Sequence, residues 1–304
     1  MDRILRRELD AIARNNHCGA AELVEGAANA ILQWTRRRSP IAESDWLGAA
    51  KHLLRCKPSM APFLRLSNEI LLAVDRHSSA VAVAERVLAF KRKVITGPKK
   101  IALFFRRFLR GEKKPFIQTY SYSSTVLACL VASKDLVDRV WCSESRPAYE
   151  GREMASKLAR AGISVDFSTD ACMFGQIWRG HIILLGADAV LSGWIAGKAG
   201  IKTIMQCAIA NGCRVFLAAD STKFWPETSR SQYPQWDWTF GADDEVWKKP
   251  PRNVDVYNLY FELVQYRKDS RFRFLTEYGV MTSAQVRGEI AKIKLSPRLE
   301  ELLD

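Results

Sequence analysis

The chain lacks any uncharged apolar run of about 18 residues or more, the length that a membrane-spanning helix requires. Residues 1–15 carry charges throughout and lack the apolar centre of a secretory signal. We therefore expect a cytoplasmic protein without a membrane partner. Its 304 residues, 48% hydrophobic and 26% charged, are typical of a globular chain with room for two domains.

Patterns that bind metals are also missing. The seven cysteines form no Cys-x-x-Cys pair, and four histidines are too few for Cys/His zinc clusters. We expect reduced, mostly buried thiols, and neither a metal nor a cofactor. Zinc fingers, aromatic RNA-binding boxes and glycine-rich RNA-binding arms are absent as well, so the sequence contains no recognised nucleic-acid motif.

Positive charge is in excess and is unevenly distributed. Residues 1–112 contain 21 Lys and Arg against 11 Asp and Glu, whereas the whole chain carries a formal charge of +13. The basic N-terminal part could therefore meet an acidic or phosphorylated protein partner. A solvated helical surface without a partner is the alternative interpretation.

Hydrophobic spacing predicts an all-α region over residues 1–112. Leu5, Leu9 and Ile12 share one helical face, and residues 20–32 form a second apolar stripe before a helix end at Pro40. Further helices are predicted over residues 43–56, 59–76, 78–93 and 97–110, with Ser44 or Asp45 as the N-cap of one and Ser78 as that of another.

The pattern changes after Gly111 to short β-branched and aromatic runs that alternate with helical segments. This alternation predicts an α/β domain over residues 113–304, with a largely parallel sheet covered by helices on both faces. The predicted strands are 116–119, 137–142, 164–168, 182–185, 215–219 and 256–260. The predicted helices are 124–133, 149–161, 171–178, 199–211 and 282–293.

Polar segments follow four of the predicted strands, at the edge where parallel sheets bind ligands. The first segment, 119–125, reads TYSYSST. Its hydroxyls and the N–H groups at the start of the following helix can bind an anion. The alternative is an ordinary N-terminal cap of that helix. The third, 186–200, is glycine-rich, but it is neither a Walker A loop nor a dinucleotide fingerprint. The candidate phosphate-binding residues are Ser121, Ser123, Ser124, Arg146, Gly197, Lys198 and Lys223.

A long irregular connection is predicted over residues 225–251. It contains four of the nine tryptophans, namely Trp225, Trp236, Trp238 and Trp247. Loops of this length often serve a function or an interface, and tryptophans packed beneath the loop are the alternative.

Six stretches of the chain together resemble one protein family. In order they read CGAAELVEGAANAIL, TYSYSSTVLACL, VWCSESRPAYEGREMASKLARAGISV, GADAVLSGWIAGKAG, FLAADSTKF and LTEYGVMTSAQV. They are similar to the α, β and δ regulatory subunits of translation initiation factor 2B and to the related aldose–ketose isomerases, whose segments include SGAAEL, THGYS or THCN, GAD…NG…NKIGT, VAAPTYKF and ITEEGVLTPSAV. The resemblance implies a Rossmann-like fold for the C-terminal two-thirds.

The isomerase branch of that family uses a cysteine in the THC turn and an aspartate in the NGD loop. The matching positions here are Ser121 and Trp194, the latter after a one-residue deletion, and Gly197 replaces the family's asparagine. A serine hydroxyl is a poor acid or base at neutral pH, and an indole has no titratable group. We expect Trp194 to fill the space of the substrate carbons. Asp188 and Asp220 are nearby carboxylates that match neither position.

The resemblance therefore favours a non-catalytic member of the family. It implies a homo- or hetero-oligomer with family subunits, formed through the C-terminal domain, and a phosphorylated metabolite as a regulatory ligand. The alternatives are an aldose–ketose isomerase with rearranged catalytic groups, which acts on a sugar 1-phosphate, and a ligand-binding regulator outside translation.

Overall fold

The computed structural model describes residues 1–15, 18–38, 40–77, 79–226, 240–266 and 270–303. Ser78, predicted as a cap, and two tryptophans of the long connection, Trp236 and Trp238, lie outside these ranges. The chain begins with five helices: α1 Arg3–Arg14, α2 Ala20–Arg37, α3 Glu43–Cys56, α4 Ala61–His77 and α5 Ala80–Leu109.

The N-terminal helices share one apolar core. Asp2 and Ser79 cap α1 and α5, because each side chain accepts a backbone N–H of the first turn. Trp34 and Trp46 meet edge to face in the core, with ring centroids 4.7 Å apart. The predicted all-α region is confirmed.

Helix α5 is continuous through Pro98, so the break predicted between 78–93 and 97–110 is wrong. A proline inside a helix costs about 3 kcal/mol. Burial on both sides of Pro98 outweighs that cost, since each buried apolar side chain contributes about 1.5–3 kcal/mol. The first half buries Val83, Val87, Phe90 and Val94 in the N-terminal core; the second half buries Ile101, Ala102, Phe105 and Leu109 against the sheet.

The large sheet has seven strands in the order β10-β9-β7-β4-β1-β2-β3. Every pairing is parallel except that of β9 with β10. The strands are β1 Phe116–Gln118, β2 Arg139–Ser143, β3 Val165–Ser168, β4 Ile182–Gly186, β7 Arg214–Ala218, β9 Phe272–Thr276 and β10 Gly279–Met281.

Helices cover both faces of this sheet, as predicted. Ile182 and Leu184 of β4 pack on one face with α5, α6 Ser124–Ala132 and α7 Glu150–Arg160. Ile183 and Leu185 pack on the other with α8 Asp170–Gly175, α9 Ile201–Ala210 and α10 Ser283–Ala291. The strand alternation thus produces two apolar layers, the Rossmann-like arrangement that the sequence predicted.

A second, three-stranded antiparallel sheet was not predicted. It consists of β5 Ala189–Val190, β6 Trp194–Lys198 and β8 Phe261–Gln265. The glycine-rich segment 186–200 is therefore mostly a hairpin. The strand predicted at 256–260 is wrong, since pairing with β6 begins at Phe261.

The last helix, α11 Pro297–Leu303, packs on α4. None of the helices in the described ranges is both long and apolar enough to cross a membrane. The domain boundary at residue 112 stays a prediction. Helix α5, which ends just before it, packs in the core of the N-terminal helices and also in the core of the large sheet.

Candidate functional site

A cleft lies at the carboxyl ends of β1 and β4. In the sheet order, the chain proceeds from β1 to β2 and β3 on one side and to β4 and β7 on the other, so the strand order reverses between β1 and β4. Open parallel sheets bind ligands at such a switch point. The cleft is lined by residues 120–124 after β1 and by residues 185–188 at the end of β4, and residues 18–21 of the N-terminal part also line it.

The turn between β1 and α6 presents a helix N-terminus to this cleft. Ser123 caps α6 by accepting the Val126 N–H at 3.3 Å, and Ser123 and Ser124 both line the cleft. Ser121 lies in the left-handed region with φ 62°, and its N–H donates to Ser145 Oγ at 2.9 Å. Gly186 makes room for the cap, since a Cβ there would lie 2.6 Å from Ser123 Oγ.

A buried ion pair forms one wall of the cleft. The Lys198 ammonium donates to Glu150 Oε1 at 2.9 Å and lies 3.4 Å from the centroid of the Tyr260 ring. The Tyr260 hydroxyl donates to the same carboxylate oxygen, while Glu150 Oε2 is buried without a hydrogen-bond partner among the described residues. Burial lowers the pKa of Lys198 and Glu150 opposes this shift; burial, and then the Glu150 charge, raises the pKa of Tyr260.

Lys223 forms a second cationic wall. It ends the short 3₁₀ turn Ser221–Lys223 after β7, is only 5% exposed and lines the cleft. Its ammonium makes no hydrogen bond and no ion pair within the described part of the chain. The charge of Lys223 also acts on the Asp188 carboxyl across the cleft, and no salt bridge neutralises it in the described chain, so Lys223 is available to bind an anion.

Asp188 lines the cleft near both lysines. Burial raises the pKa of its carboxyl to about 6, although the charges of Lys223 and Lys198 oppose the shift. Near neutral pH this group can therefore bind or release a proton. The pKa of Asp188 lies nearer to neutrality than that of Lys198 or Tyr260, the neighbouring groups in the cleft.

The raised pKa predicts a pH-dependent stability. The folded state binds the Asp188 proton more tightly than the unfolded state, so this contribution to stability is complete below pH 3.8 and is lost as the pH rises through about 6. Between about pH 5 and pH 7.5 we expect the wild type to lose up to about 1 kcal/mol relative to Asp188→Asn, measured by urea unfolding at each pH. Identical pH profiles for the two proteins would contradict this.

The structure brings together five of the seven predicted phosphate-binding residues. The five that line the cleft are Ser121, Ser123, Ser124, Lys198 and Lys223. Gly197 pairs with Glu262 inside the small sheet, and a Cβ on it would lie 3.1 Å from Ile201 Cδ1. Its role is close packing of β6 on α9.

Arg146 is exposed and lies outside the lining of the cleft. Its guanidinium donates to the Tyr149 hydroxyl and, at 3.4 Å, to the Val246 carbonyl, and it stacks on the Tyr149 ring. Its backbone N–H donates to Asp170 Oδ2 at 2.8 Å. These contacts connect the turn after β2 to the start of α8 and to the segment that contains Val246.

Trp194 does not line the cleft either. It begins β6 and packs against an apolar cluster that contains Ala61, Leu191 and Trp225. The prediction that its indole fills the space of the substrate carbons is therefore wrong. The alignment by sequence gave its position in the strand but not the direction of its side chain.

The cleft residues that sequence reasoning did not select include Glu150, Tyr260 and Cys18. Glu150 begins α7, directly after the turn that follows β2. The strand-end rule that selected Arg146 applies equally to this residue, so a signal for Glu150 existed. Cys18 begins the first of the six stretches that resemble the family, but its place in the cleft depends on folding of the N-terminal helices onto the sheet. Tyr260 had no local signal.

Comparison with known proteins identifies relatives of two kinds. The Initiation factor 2 subunit family is matched by residues 48–283. A Pyrococcus horikoshii protein named as translation initiation factor eIF-2B subunit 2-like is 27% identical over 212 residues, which cover 68% of this chain and 75% of that protein. A ribose 1,5-bisphosphate isomerase of Thermococcus kodakarensis is 24% identical over 266 residues, 81% of each chain.

Solved structures share the fold. The translation initiation factor eIF-2B of Pyrococcus horikoshii superposes with a TM-score of 0.79 at 23% identity, covering 93% of this chain and 98% of that one. A subunit of the tetrameric eIF2B-beta2-delta2 complex of C. thermophilum has a TM-score of 0.69 at 18% identity, covering 94% and 93%. The predicted fold class and family resemblance are confirmed.

Proposed function

The chain belongs to the Initiation factor 2 subunit family, and we propose that it is a non-catalytic, regulatory member whose cleft binds a phosphorylated small metabolite. The observation that carries this proposal is Lys223, a cleft lysine only 5% exposed whose ammonium makes no hydrogen bond and no salt bridge in the described chain. A phosphate group supplies the charge that such a cation lacks.

The rest of the cleft suits a phosphate as well. The N-terminus of α6 carries a partial positive charge and free N–H groups, and Ser123 and Ser124 lie beside it. Lys198 adds a second cation, balanced by Glu150. With a pKa of about 6, Asp188 can take up a proton when a dianion approaches, which removes the repulsion between the two.

Two departures from the isomerase pattern support the absence of catalysis. Ser121 occupies the position of the catalytic cysteine, and its hydroxyl does not titrate near neutral pH. Trp194 occupies the position of the catalytic aspartate, and it packs in an apolar cluster away from the cleft. An isomerase needs an acid and a base at the two reacting carbons, and neither matched position provides one.

Binding of ribose 1,5-bisphosphate tests the proposal. We expect Lys223→Gln to weaken binding by roughly tenfold to a hundredfold in titration calorimetry, the usual contribution of a charge-assisted hydrogen bond. Lys202→Gln is the matched control, because Lys202 is exposed on α9 and does not line the cleft. Equal binding by wild type and Lys223→Gln would refute the assignment.

Sugar-phosphate isomerisation is the second candidate, and one observation favours it. The thiol of Cys18 and the carboxyl of Asp188 both line the cleft, so a cysteine and an aspartate are present at positions other than the family's own. Our proposal requires that wild type turn over neither methylthioribose 1-phosphate nor ribose 1,5-bisphosphate. Turnover that disappears in both Cys18→Ser and Asp188→Asn would establish the isomerase instead.

The proposal extends to assembly. Because a structural neighbour is a subunit of a tetrameric complex, we propose that this chain joins an oligomer of family subunits through residues 113–304. The basic region 1–112 would then meet an acidic or phosphorylated protein. By family resemblance, its place of action is the cytoplasm.

A further inference from the structure

A second cavity, of about 300 Å³, shares no lining residue with the cleft. It lies between α4, α5, the 3₁₀ turn after β7 and the end of α10. The lining residues are Arg65, Glu69, Leu72, Arg86, Lys93, Ser221, Phe224, Tyr278, Glu289, Lys292, Ile293 and Lys294.

The cavity carries an excess of positive charge. Five of its lining residues are cationic and two are acidic, and each acid already has a partner. Arg86 pairs with Glu69 at 2.6 Å, and Lys292 pairs with Glu289 at 2.7 Å. Three cations form no salt bridge with a carboxylate in the described chain: Arg65, Lys93 and Lys294.

Arg65 is the central group of this set. Its Nε and Nη1 atoms are buried and have no hydrogen-bond acceptor among the described residues. Burial lowers the pKa of the guanidinium while the Glu69 charge opposes the shift, yet an arginine keeps its proton in proteins. Nε of Arg86 is also buried without an acceptor. Such donors are nearly always paired, and a planar guanidinium fits an oxyanion best.

The remaining walls indicate what surrounds that oxyanion. Leu72, Phe224 and Ile293 contribute apolar surface, and the Tyr278 ring is 55% exposed. The volume exceeds that of a single inorganic ion. A small organic molecule with more than one negative charge therefore matches both the size and the charge of the cavity.

We propose that this cavity is a second ligand site, separate from the cleft, which binds a small phosphate ester through the Arg65 guanidinium. Lys93 and Lys294 are exposed and lie at the rim, where they attract the anion. The proposal does not depend on the ligand or the catalytic status of the cleft.

Titration calorimetry of the full chain with pyrophosphate, at constant ionic strength, tests the proposal. We expect Arg65→Met to weaken binding by roughly tenfold to a hundredfold, since it removes a charge-assisted contact. The matched control is Arg76→Gln, an exposed arginine of α4 outside the cavity. Binding by this control should equal that of wild type, and Lys223→Gln, which changes only the cleft, should retain the binding that Arg65→Met weakens.

A second variant keeps the test decisive if Arg65→Met folds poorly. Lys294→Gln changes an exposed residue, so we expect it to fold normally and to weaken pyrophosphate binding up to about fivefold. No binding by wild type, or equal binding by wild type and both cavity variants, would overturn the proposal. Weak binding in Lys223→Gln alone would place the anion in the cleft, which overturns this second site and leaves the proposed function intact.

Discussion

Glu150→Leu is expected to lower the free energy of unfolding by about 3–5 kcal/mol, the usual cost when one partner of a buried ion pair is removed. The substitution leaves the Lys198 ammonium, whose side chain is 6% exposed, without its carboxylate. The Tyr260 ring still lies over the cation, but a cation–π contact replaces only part of the lost interaction. Urea unfolding at neutral pH measures the change.

The matched control is Glu153→Leu, on the same helix. Glu153 pairs with Lys157 at 2.8 Å, but both side chains are substantially exposed. An exposed pair of this kind contributes about 0.5 kcal/mol. The double variant Glu150→Leu/Lys198→Met removes both buried charges and should recover most of the loss. A loss for Glu150→Leu no larger than that for Glu153→Leu would show that the pair is not buried in solution.

Gly151→Ala is expected to cost about 3 kcal/mol, because the start of α7 packs directly on the end of β2. A Cβ at Gly151 would lie 1.7 Å from the Ser143 carbonyl oxygen and 3.0 Å from Ser145 Oγ. Alanine favours a helix over glycine by about 1 kcal/mol, which is too little to offset the clash. The backbone must shift, and Glu150 shifts with it, so we also expect weaker binding of ribose 1,5-bisphosphate.

Gly48→Ala provides the opposite expectation. Gly48 lies in the interior of α3, and a Cβ there would meet nothing within 4 Å. Only the helix preference then changes, so this variant should gain up to about 1 kcal/mol. Chemical denaturation of both variants gives the comparison. If both glycine replacements stabilised the protein, the tight contact between α7 and β2 would be disproved.

Local patterns predicted most elements of the fold. The spacing of apolar residues predicted α3 at 43–56 and the five strands β1, β2, β3, β4 and β7 within a few residues, because burial dictates that spacing. Strands β9 and β10 of the large sheet were not predicted. The helix break predicted before Pro98 is wrong because the low helix preference of proline is a local property, whereas α5 is stabilised by packing in two separate cores. The small sheet escaped prediction because β5 has only two residues and β6 contains glycine.

The candidate site was predictable in part. Strand ends fix a position along the sheet edge, and this was enough to select Ser123, Lys198 and Lys223. They do not fix the direction of a side chain, which is why Arg146 and Trp194 were expected in the cleft and lie elsewhere. The partners of Lys198 are also distant in sequence, since Glu150 precedes it by 48 residues, so only the folded chain shows the pair.

Helix α5 has a consequence for the mechanics of the molecule. Its first half belongs to the N-terminal helices and its second half to the sheet, so one unbroken rod of 30 residues is embedded in both. At Gly97 this rod passes so close to Asp220 that a Cβ would lie 2.7 Å from the Asp220 Cβ. Asp220 caps the turn that holds Lys223. Helix α5 therefore connects the core of the N-terminal helices physically to the turn that holds Lys223.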